Sequence, residues 1–246
     1  VPLSMIGTDA FQEVDTYGLT IPITKHNFLV RSAKDLLSVV PSAFRIAMSD
    51  RPGPVLIDVP KDVQNQMVSF EEYPDVVVPD AAPVFDIAAI EEAAKMIEAA
   101  ERPVLYLGGG VIHSGAAHMA VTLAEQASLP TTMTLMALGA MPMDHPLSLG
   151  MLGMHGARYT NYVLEEADLL ICVGARFDDR AIGKTAEFCP NAKIIHIDID
   201  RSELHKVKNA HVAIAGDVGQ VLSELLPRVK PQLRKRWLSH VESLKG

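Results

Sequence analysis

Short apolar runs alternate with amphipathic segments along most of this chain, and this alternation constrains its fold more than any other feature. Leu169–Val173 and Lys193–Ile199 are two of the runs, and both are typical of buried strands. The segments between such runs carry apolar residues at helical spacing. Strands that alternate with helices predict a parallel, right-handed α/β structure.

The alternation is regular from about residue 86. We predict strands at 104–107, 131–135, 169–173, 193–199 and 211–215, and helices at 86–100, 116–127, 157–166 and from Asp217, with a Met- and Gly-rich loop over 136–156.

The first 65 residues show a less regular pattern. Residues 8–14 are expected to open a short helix, and 26–30 and 55–59 are expected to be strands. Ser32 is a candidate cap for the helix between them, although Pro41 interrupts that helix. Two strands cannot form an independent sheet, so this segment needs further partners. Proline-containing residues 66–85 indicate a linker, and residues 228–246 indicate a basic, solvated linker helix.

Charged residues follow two of the predicted strands. Gly174–Arg180 begins where one strand ends, and Asp198 and Asp200 stand at the end of the next. Ligands of parallel α/β sheets bind outside the carboxyl ends of the strands. A guanidinium can bind phosphate, and a strand-end aspartate suits ribose hydroxyls. These residues therefore favour a nucleotide-type site over solvated loops, which are the alternative.

The glycines Gly108–Gly110 after another strand do not have dinucleotide-fingerprint spacing, because the next glycine is Gly115 and no acidic residue follows at about 20 residues. A redox NAD enzyme of the usual kind is disfavoured, and a nonstandard dinucleotide site stays open. The methionines of 133–154 fit either core packing or an apolar wall around a ring system. The histidines show no metal-like spacing, and we predict no metal ligands in this chain.

Composition excludes several classes of protein. The net charge of −8 and the 5% of aromatic residues disfavour a nucleic-acid partner. No apolar run reaches the length of a membrane span, and no signal peptide is evident. Two cysteines give no disulfide framework and are typical of a cytoplasmic protein. The opening Val1–Ser4 reads as the middle of a longer protein, so we expect a fragment.

Four motifs carry a family resemblance: Met5–Glu13, Arg51–Asp62, Leu149–Gly156 and Gly174–Arg180. Together they resemble the catalytic large subunit of acetohydroxyacid synthase (acetolactate synthase), a thiamine-diphosphate enzyme, and look most like a bacterial isozyme I type. The resemblance implies the last part of a pyrimidine-binding α/β domain over 1–65 and a Rossmann-like, FAD-binding middle domain over 86–228. Residues 229–246 would then lead toward a diphosphate-binding domain.

The resemblance also implies roles for individual residues. Gln12, Lys61 and Arg180 would be catalytic, and Phe11 and Met154 would line the substrate channel. The residues that would contact FAD are Arg51, Gly109, Thr134, Leu135, Leu152, Gly153, Met154, His155, Gly174, Ala175, Arg176, Phe177, Asp178, Asp198, Ile199, Asp217 and Val218.

The implied reaction condenses pyruvate with a second 2-keto acid, pyruvate or 2-oxobutyrate, in branched-chain amino acid synthesis. Thiamine diphosphate and Mg would bind mostly outside this segment, so the chain alone would be inactive, and FAD would have no redox role. The implied assembly is a homodimer or tetramer with a small regulatory subunit. Alternatives are another FAD-containing thiamine enzyme, such as glyoxylate carboligase or pyruvate oxidase, or a free-standing nucleotide-binding module.

Overall fold

The computed structural model describes residues 1–75 and 77–246. Contacts divide the described residues into two compact units, Val1–Ala82 and Pro83–Gly246. The division falls inside the stretch 66–85 that the sequence predicts as a linker, of which residue 76 lies outside the described residues. No helix in the described part of the chain is long and apolar enough to cross a membrane.

The first unit contains a parallel strand pair joined by a helix. Its elements are α1 (Thr16–Thr20), β1 (His26–Leu29), α2 (Leu36–Met48), β2 (Val55–Asp58) and α3 (Lys61–Gln64). β1 pairs with β2 in parallel, with His26 opposite Val55. Ser32 and Asp35 form a capping box in the 3-10 turn that leads into α2. Both predicted strands and the helix between them are therefore confirmed.

The helix expected to open at residues 8–14 is wrong, since this segment is a loop. The Thr8 hydroxyl donates to the Met5 carbonyl, 2.8 Å away, instead of capping the residues that follow. The Glu13 carboxylate accepts from the backbone N–H groups of Gly7 and Ala10, and these bonds lower the pKa of Glu13. Asp9 and Gln12 both have a positive φ, which a helix does not allow.

The second unit is built on one parallel sheet. Its strands are β3 (Pro103–Leu107), β4 (Thr131–Met133), β5 (Ser148–Met151), β6 (Leu169–Val173), β7 (Lys193–Asp198) and β8 (Val212–Ala215). Their order in the sheet is β5-β4-β3-β6-β7-β8. The chain runs outward from β3 to β5, returns to β6 beside β3, and then runs outward in the other direction. This is the strand order of dinucleotide-binding folds, and its switch point lies between β3 and β6.

Helices cover both faces of this sheet. They are α4 (Ile87–Ala99), α5 (Gly109–His113), α6 (Ala117–Ala127), α7 (Arg158–Glu166), α8 (Asp179–Ile182), α9 (Val218–Leu225) and α10 (Lys235–Lys245). Successive side chains of β3 enter separate core clusters, with Leu105 in one and Tyr106 in the other. α4 buries Ile90, Ala93, Ala94 and Ile97, the face that the sequence predicts. The predicted parallel α/β fold is confirmed.

Two boundaries near the predicted Met- and Gly-rich loop differ from the sequence prediction. β5 lies inside this loop, and β4 ends at Met133 instead of Leu135. β5 contains Ser148 and Gly150, which are poor strand formers, and its register with β4 shifts between Thr131 and Met133. A short strand of this composition gives no periodic signal, but pairing with β4 stabilises it.

The carboxyl-terminal stretch contains the predicted helix, α10, but this helix packs against the rest of the second unit, so the prediction that it is solvated is wrong. Trp237 and Val241 of α10 are buried, and the Trp237 indole donates to the Pro103 carbonyl at 3.1 Å. The buried Arg234 guanidinium donates to the carbonyls of Ile97, Ala100 and Ala127. These are carbonyls at the ends of α4 and α6, which have no partner within their own helices.

The loops after β3 and β6 approach each other backbone to backbone. Gly108 N–H donates to the Val173 carbonyl at 2.9 Å, and Gly110 N–H donates to the Gly174 carbonyl at 3.0 Å. A Cβ on Gly108 would lie 2.2 Å from the Gly174 oxygen, whereas a Cβ on Gly109 would lie 3.2 Å from the Met136 Cβ and 4.0 Å from the His113 Cδ2. Gly108 is therefore needed for packing, and Gly109 borders a more open side.

We predict that Gly108→Ala lowers the free energy of unfolding by about 2–3 kcal/mol, the cost of forcing atoms into a packed contact. The matched variant Gly109→Ala should lose less than about 1 kcal/mol, since the Met136 Cβ must move only slightly to make room. Urea unfolding of both variants measures the difference. Equal losses would show that the two loops separate easily and that the contact does not hold the sheet.

Candidate functional site

Most of the residues predicted for a nucleotide site lie at the carboxyl edge of the sheet. Each strand of the second unit contributes: Gly109 follows β3, Thr134 and Leu135 follow β4, Leu152–His155 follow β5, Gly174–Asp178 follow β6, Asp198 and Ile199 end β7, and Asp217 and Val218 follow β8. In a parallel sheet these ends share one edge. The fold therefore brings these residues to one side of the unit.

The end of β4 offers a buried hydroxyl beside exposed apolar side chains. The Thr134 hydroxyl is buried and has no hydrogen-bond partner among residues 1–75 and 77–246. The next two residues, Leu135 and Met136, are 70% and 69% exposed, and Met154 after β5 is 65% exposed. A buried hydroxyl without a partner is costly, and a ligand atom would satisfy it. Exposed apolar side chains at the same edge suit the face of a ring system.

The loop after β6 presents two charges to this edge. Arg176 and Asp178 are half exposed, and their charged atoms lie 3.9 Å apart. Asp178 also caps α8 by accepting from the Arg180 backbone N–H at 2.9 Å. The side chain of Phe177 points into the core, where it is 5% exposed and packs near Tyr106 and His196. The Phe177 ring is therefore turned into the core, and its predicted contact with FAD stays a prediction.

Other predicted contacts are also limited to the backbone. The side chains of Leu152, Ala175 and Val218 are buried in the two core clusters. Sequence patterns place a residue at a strand end but do not say which way its side chain turns. The motifs therefore predicted whole segments as FAD contacts. In the structure, only alternate side chains of these segments are accessible.

The two strand-end aspartates at the far side of the sheet have structural partners. Asp198 is buried and accepts from the Asp200 backbone N–H at 2.9 Å. Asp217 caps α9 by accepting from the Gln220 N–H at 3.0 Å. The Asp217 carboxylate has a second oxygen that can accept from a ligand hydroxyl. Their predicted contacts with the ribityl or adenosine end of FAD stay predictions.

Met154 and Arg180, predicted separately for the substrate channel and the chemistry, lie together. The Arg180 Nη1 is 3.8 Å from the Met154 sulfur. Arg180 Nε is 3.9 Å from the Asp179 carboxylate, and both side chains are largely exposed. An exposed pair at this distance contributes little to stability. The guanidinium is therefore accessible to an anionic ligand.

The remaining predicted residues lie in the first unit. Phe11 is 89% exposed at the tip of the loop that Glu13 organises, and Gln12 beside it holds a φ of 60°. Lys61 is exposed at the start of α3, whose Asp62 accepts from the Leu3 N–H at 2.9 Å. Arg51 is exposed before β2. The structure leaves these side chains accessible, and their roles stay predictions.

No group of three or more His, Cys, Asp or Glu side chains in residues 1–75 and 77–246 is arranged to hold a metal ion.

Comparisons with known proteins decide the family. The family model described as "Thiamine pyrophosphate enzyme, central domain" matches residues 90–225, more than half of the chain. The chain belongs to this thiamine pyrophosphate enzyme family. The match begins within α4 and ends at the last residue of α9, so it contains every strand of the parallel sheet in the second unit.

Individual relatives extend the similarity across both units. The chain is 64% identical over 244 residues to the acetolactate synthase isozyme 1 large subunit of Escherichia coli (strain K12), covering 99% of this chain and 43% of that protein. It is 46% identical to the probable acetolactate synthase large subunit of Methanocaldococcus jannaschii, over 100% of this chain and 43% of that protein. A third relative is the acetolactate synthase large subunit of Corynebacterium glutamicum, with 45% identity over 98% of this chain and 40% of that protein.

These relatives confirm the resemblance stated from the motifs. The chain spans about two fifths of the length of the relatives it matches.

Sequence reasoning missed a polar group in the core of the second unit. His196 lies fully buried in β7, and its Nε2 donates to the Ala175 carbonyl at 2.9 Å. Burial lowers the pKa of His196, and the bond to Ala175 only partly opposes this. The imidazole therefore stays neutral near pH 7. The signal in the sequence was a lone histidine inside the apolar run 194–197.

The lowered pKa predicts a specific pH dependence of stability. Below the ordinary histidine pKa of about 6.5, His196 binds a proton in the unfolded chain but stays unprotonated in the folded chain. The free energy of unfolding therefore falls as the pH falls. The contribution of His196 is present above the unfolded-state pKa of about 6.5 and is lost as the pH falls toward the lower folded-state pKa, at no more than about 1.4 kcal/mol per pH unit.

The isosteric variant His196→Gln, which retains an N–H donor, should lose less stability between pH 7 and pH 5 than the native chain. Urea unfolding at both pH values measures this. If both proteins lose the same free energy, His196 does not titrate as its burial requires.

Proposed function

We propose that this chain is part of a thiamine-diphosphate-dependent acetolactate synthase. The reaction condenses pyruvate with a second 2-keto acid, giving 2-acetolactate or, from 2-oxobutyrate, 2-aceto-2-hydroxybutyrate for branched-chain amino acid synthesis. The observation that carries this proposal is the 64% identity with the Escherichia coli isozyme 1 large subunit along 99% of this chain. We propose in addition that the second unit binds FAD.

The residues at the carboxyl edge fit FAD on chemical grounds. The buried Thr134 hydroxyl has no partner among the described residues, and exposed Leu135, Met136 and Met154 offer an apolar surface for a ring system. Arg176 offers a half-exposed guanidinium for a phosphate. Adjacent strands are about 4.8 Å apart, so the edge from β5 to β8 extends roughly 24 Å, enough for an extended dinucleotide.

The charged and apolar groups of this chain have distinct tasks in the proposed enzyme. Thiamine diphosphate, when bound, supplies the electron sink that allows pyruvate to lose CO₂. Arg180 binds the carboxylate of the second keto acid, because its guanidinium is exposed and can donate two parallel hydrogen bonds. Met154, in contact with Arg180, provides an apolar wall that excludes water beside it. For the first unit, the proposal keeps the roles that the family resemblance implies: Gln12 and Lys61 are catalytic, Phe11 lines the substrate channel, and Arg51 is an FAD ligand.

The assembly of the intact protein follows from the same proposal. The relatives are named large subunits, which supports a homodimer or tetramer that binds a small regulatory subunit. Thiamine diphosphate and Mg would be bound mostly by residues outside this segment. We propose a cytoplasmic location, supported by the two cysteines, which are both buried as free thiols.

Thr134→Val tests the FAD site within this chain. The substitution should leave stability unchanged, because the hydroxyl has no protein partner to lose, but should weaken FAD binding about 3- to 10-fold. The matched control Thr131→Val removes a buried hydroxyl that bonds to the Leu129 carbonyl at 2.9 Å near the amino edge. This control should lose stability and keep its FAD affinity. FAD fluorescence titration and urea unfolding measure both effects, and an unchanged affinity for Thr134→Val would contradict the proposed site.

Turnover of the full-length protein tests the proposed reaction. With pyruvate and 2-oxobutyrate under anaerobic conditions, both acetohydroxyacid products should form while the flavin absorbance stays that of the oxidised form. Flavin bleaching at the turnover rate would contradict the proposal and favour an oxidase. Failure to form either product would also contradict it.

The variant Arg180→Lys in the same experiment tests the selection of the second keto acid. Loss of the two-point bond, worth about 1.5–3 kcal/mol, should slow carboligation roughly 10- to 100-fold and change the product ratio. Release of CO₂ from the first pyruvate should be affected less. An unchanged product ratio and rate, with lowered stability, would show that Arg180 only braces its turn.

A further inference from the structure

Three buried side chains with polar atoms form a row across the centre of the sheet. Tyr106, Cys172 and His196 lie directly opposite one another on β3, β6 and β7. All three are inaccessible to solvent. Side chains in register on neighbouring parallel strands project from the same face, so the row continues across the switch point.

The polar atoms of this row converge on one loop. The Tyr106 hydroxyl donates to the Arg176 carbonyl at 3.2 Å. The Cys172 thiol and the His196 Nε2 both donate to the Ala175 carbonyl, at 3.2 and 2.9 Å. The Phe177 ring packs near this row, with its centroid 5.1 Å from that of His196 and 6.3 Å from that of Tyr106. The buried donors therefore bind two successive carbonyls of the loop, those of Ala175 and Arg176, from the core side.

The loop has few other attachments of its main chain. Gly174 N–H donates to the Ile197 carbonyl at 2.8 Å, and regular structure resumes only with α8 at Asp179. Between these points the Ala175 and Arg176 carbonyls turn into the core, while the Arg176 and Asp178 side chains are half exposed. The bonds beneath the loop thus determine where those two charges stand.

Polar side chains are unusual at these three core positions, which apolar residues could fill. A buried hydroxyl or imidazole costs free energy unless it is hydrogen-bonded. The His196 Nδ1 has no partner among residues 1–75 and 77–246, so the imidazole is buried at a cost that its single bond to Ala175 must offset. Burial raises the pKa values of Tyr106 and Cys172, so both remain protonated donors.

We propose that Tyr106, Cys172 and His196 are positioning residues that hold the Gly174–Asp178 loop in the shape that receives the nucleotide. This inference rests on the proposed FAD site. It adds that the affinity of the edge for FAD depends on buried groups that do not touch the ligand. Loss of one anchor frees the loop and spreads Arg176 and Asp178 over several positions, and binding must then order them again.

Two readouts separate this inference from the proposed function. Hydrogen exchange of peptides that cover residues 174–183, measured by mass spectrometry without FAD, reports the order of the loop alone. FAD titration of the same proteins reports its consequence. The variants are Tyr106→Phe, which removes only the hydroxyl, His196→Leu, which removes the donor, and His196→Gln, which retains one. Thr131→Val is the control for loss of a buried hydroxyl–carbonyl bond elsewhere in the sheet.

Tyr106→Phe and His196→Leu should speed exchange in residues 174–183 about fivefold to tenfold and weaken FAD binding by a similar factor. His196→Gln should restore most of both, and Thr131→Val should change neither, whatever its stability. Exchange in 174–183 that is unchanged, or equally fast in the control, would overturn the inference. Absence of FAD binding by the native chain would instead refute the proposed function, while the exchange rates would still decide whether the row orders the loop.

Discussion

The backbone contact between the loops after β3 and β6 is the constraint on which the second unit depends. Gly108 and Gly174 have no side chain, and this permits the two loops to meet at the point where the sheet reverses direction. Had either carried a Cβ, the strands would be forced apart at their carboxyl ends. The groups at this edge, from Thr134 to Asp178, take their positions from strands that this contact holds in register.

The loop after β6 connects the core to the edge. Its carbonyls bind the buried donors of Tyr106, Cys172 and His196, and its Phe177 ring fills the space above the strands. Its Arg176 and Asp178 remain at the surface. Stability and ligand recognition therefore share one segment, so substitutions in the core beneath it should affect binding as well as folding.

The sequence predicted the elements that have a strong periodic signal. Leu169–Val173 is apolar throughout because β6 is covered on both faces, and α4 shows its buried stripe directly. The strand ends, and with them most of the candidate site, followed from these elements. β5 could not be predicted, since its pairing with β4 outweighs the poor strand propensity of Ser148 and Gly150.

Side-chain directions and long-range contacts could not be predicted from the sequence either. The inward turn of Phe177 depends on partners from β3 and β7 that are distant in sequence. The docking of α10 depends on Arg234 meeting carbonyls at the ends of two helices more than a hundred residues earlier.

The most direct test of the account is hydrogen exchange of the chain with and without FAD. Within the second unit it predicts protection confined to the carboxyl edge, in peptides covering 108–113, 134–138, 152–156, 174–178, 198–200 and 217–220, with none at the amino edge around 101–103 and 129–131. Protection at the amino edge, or none in 174–178, would contradict it.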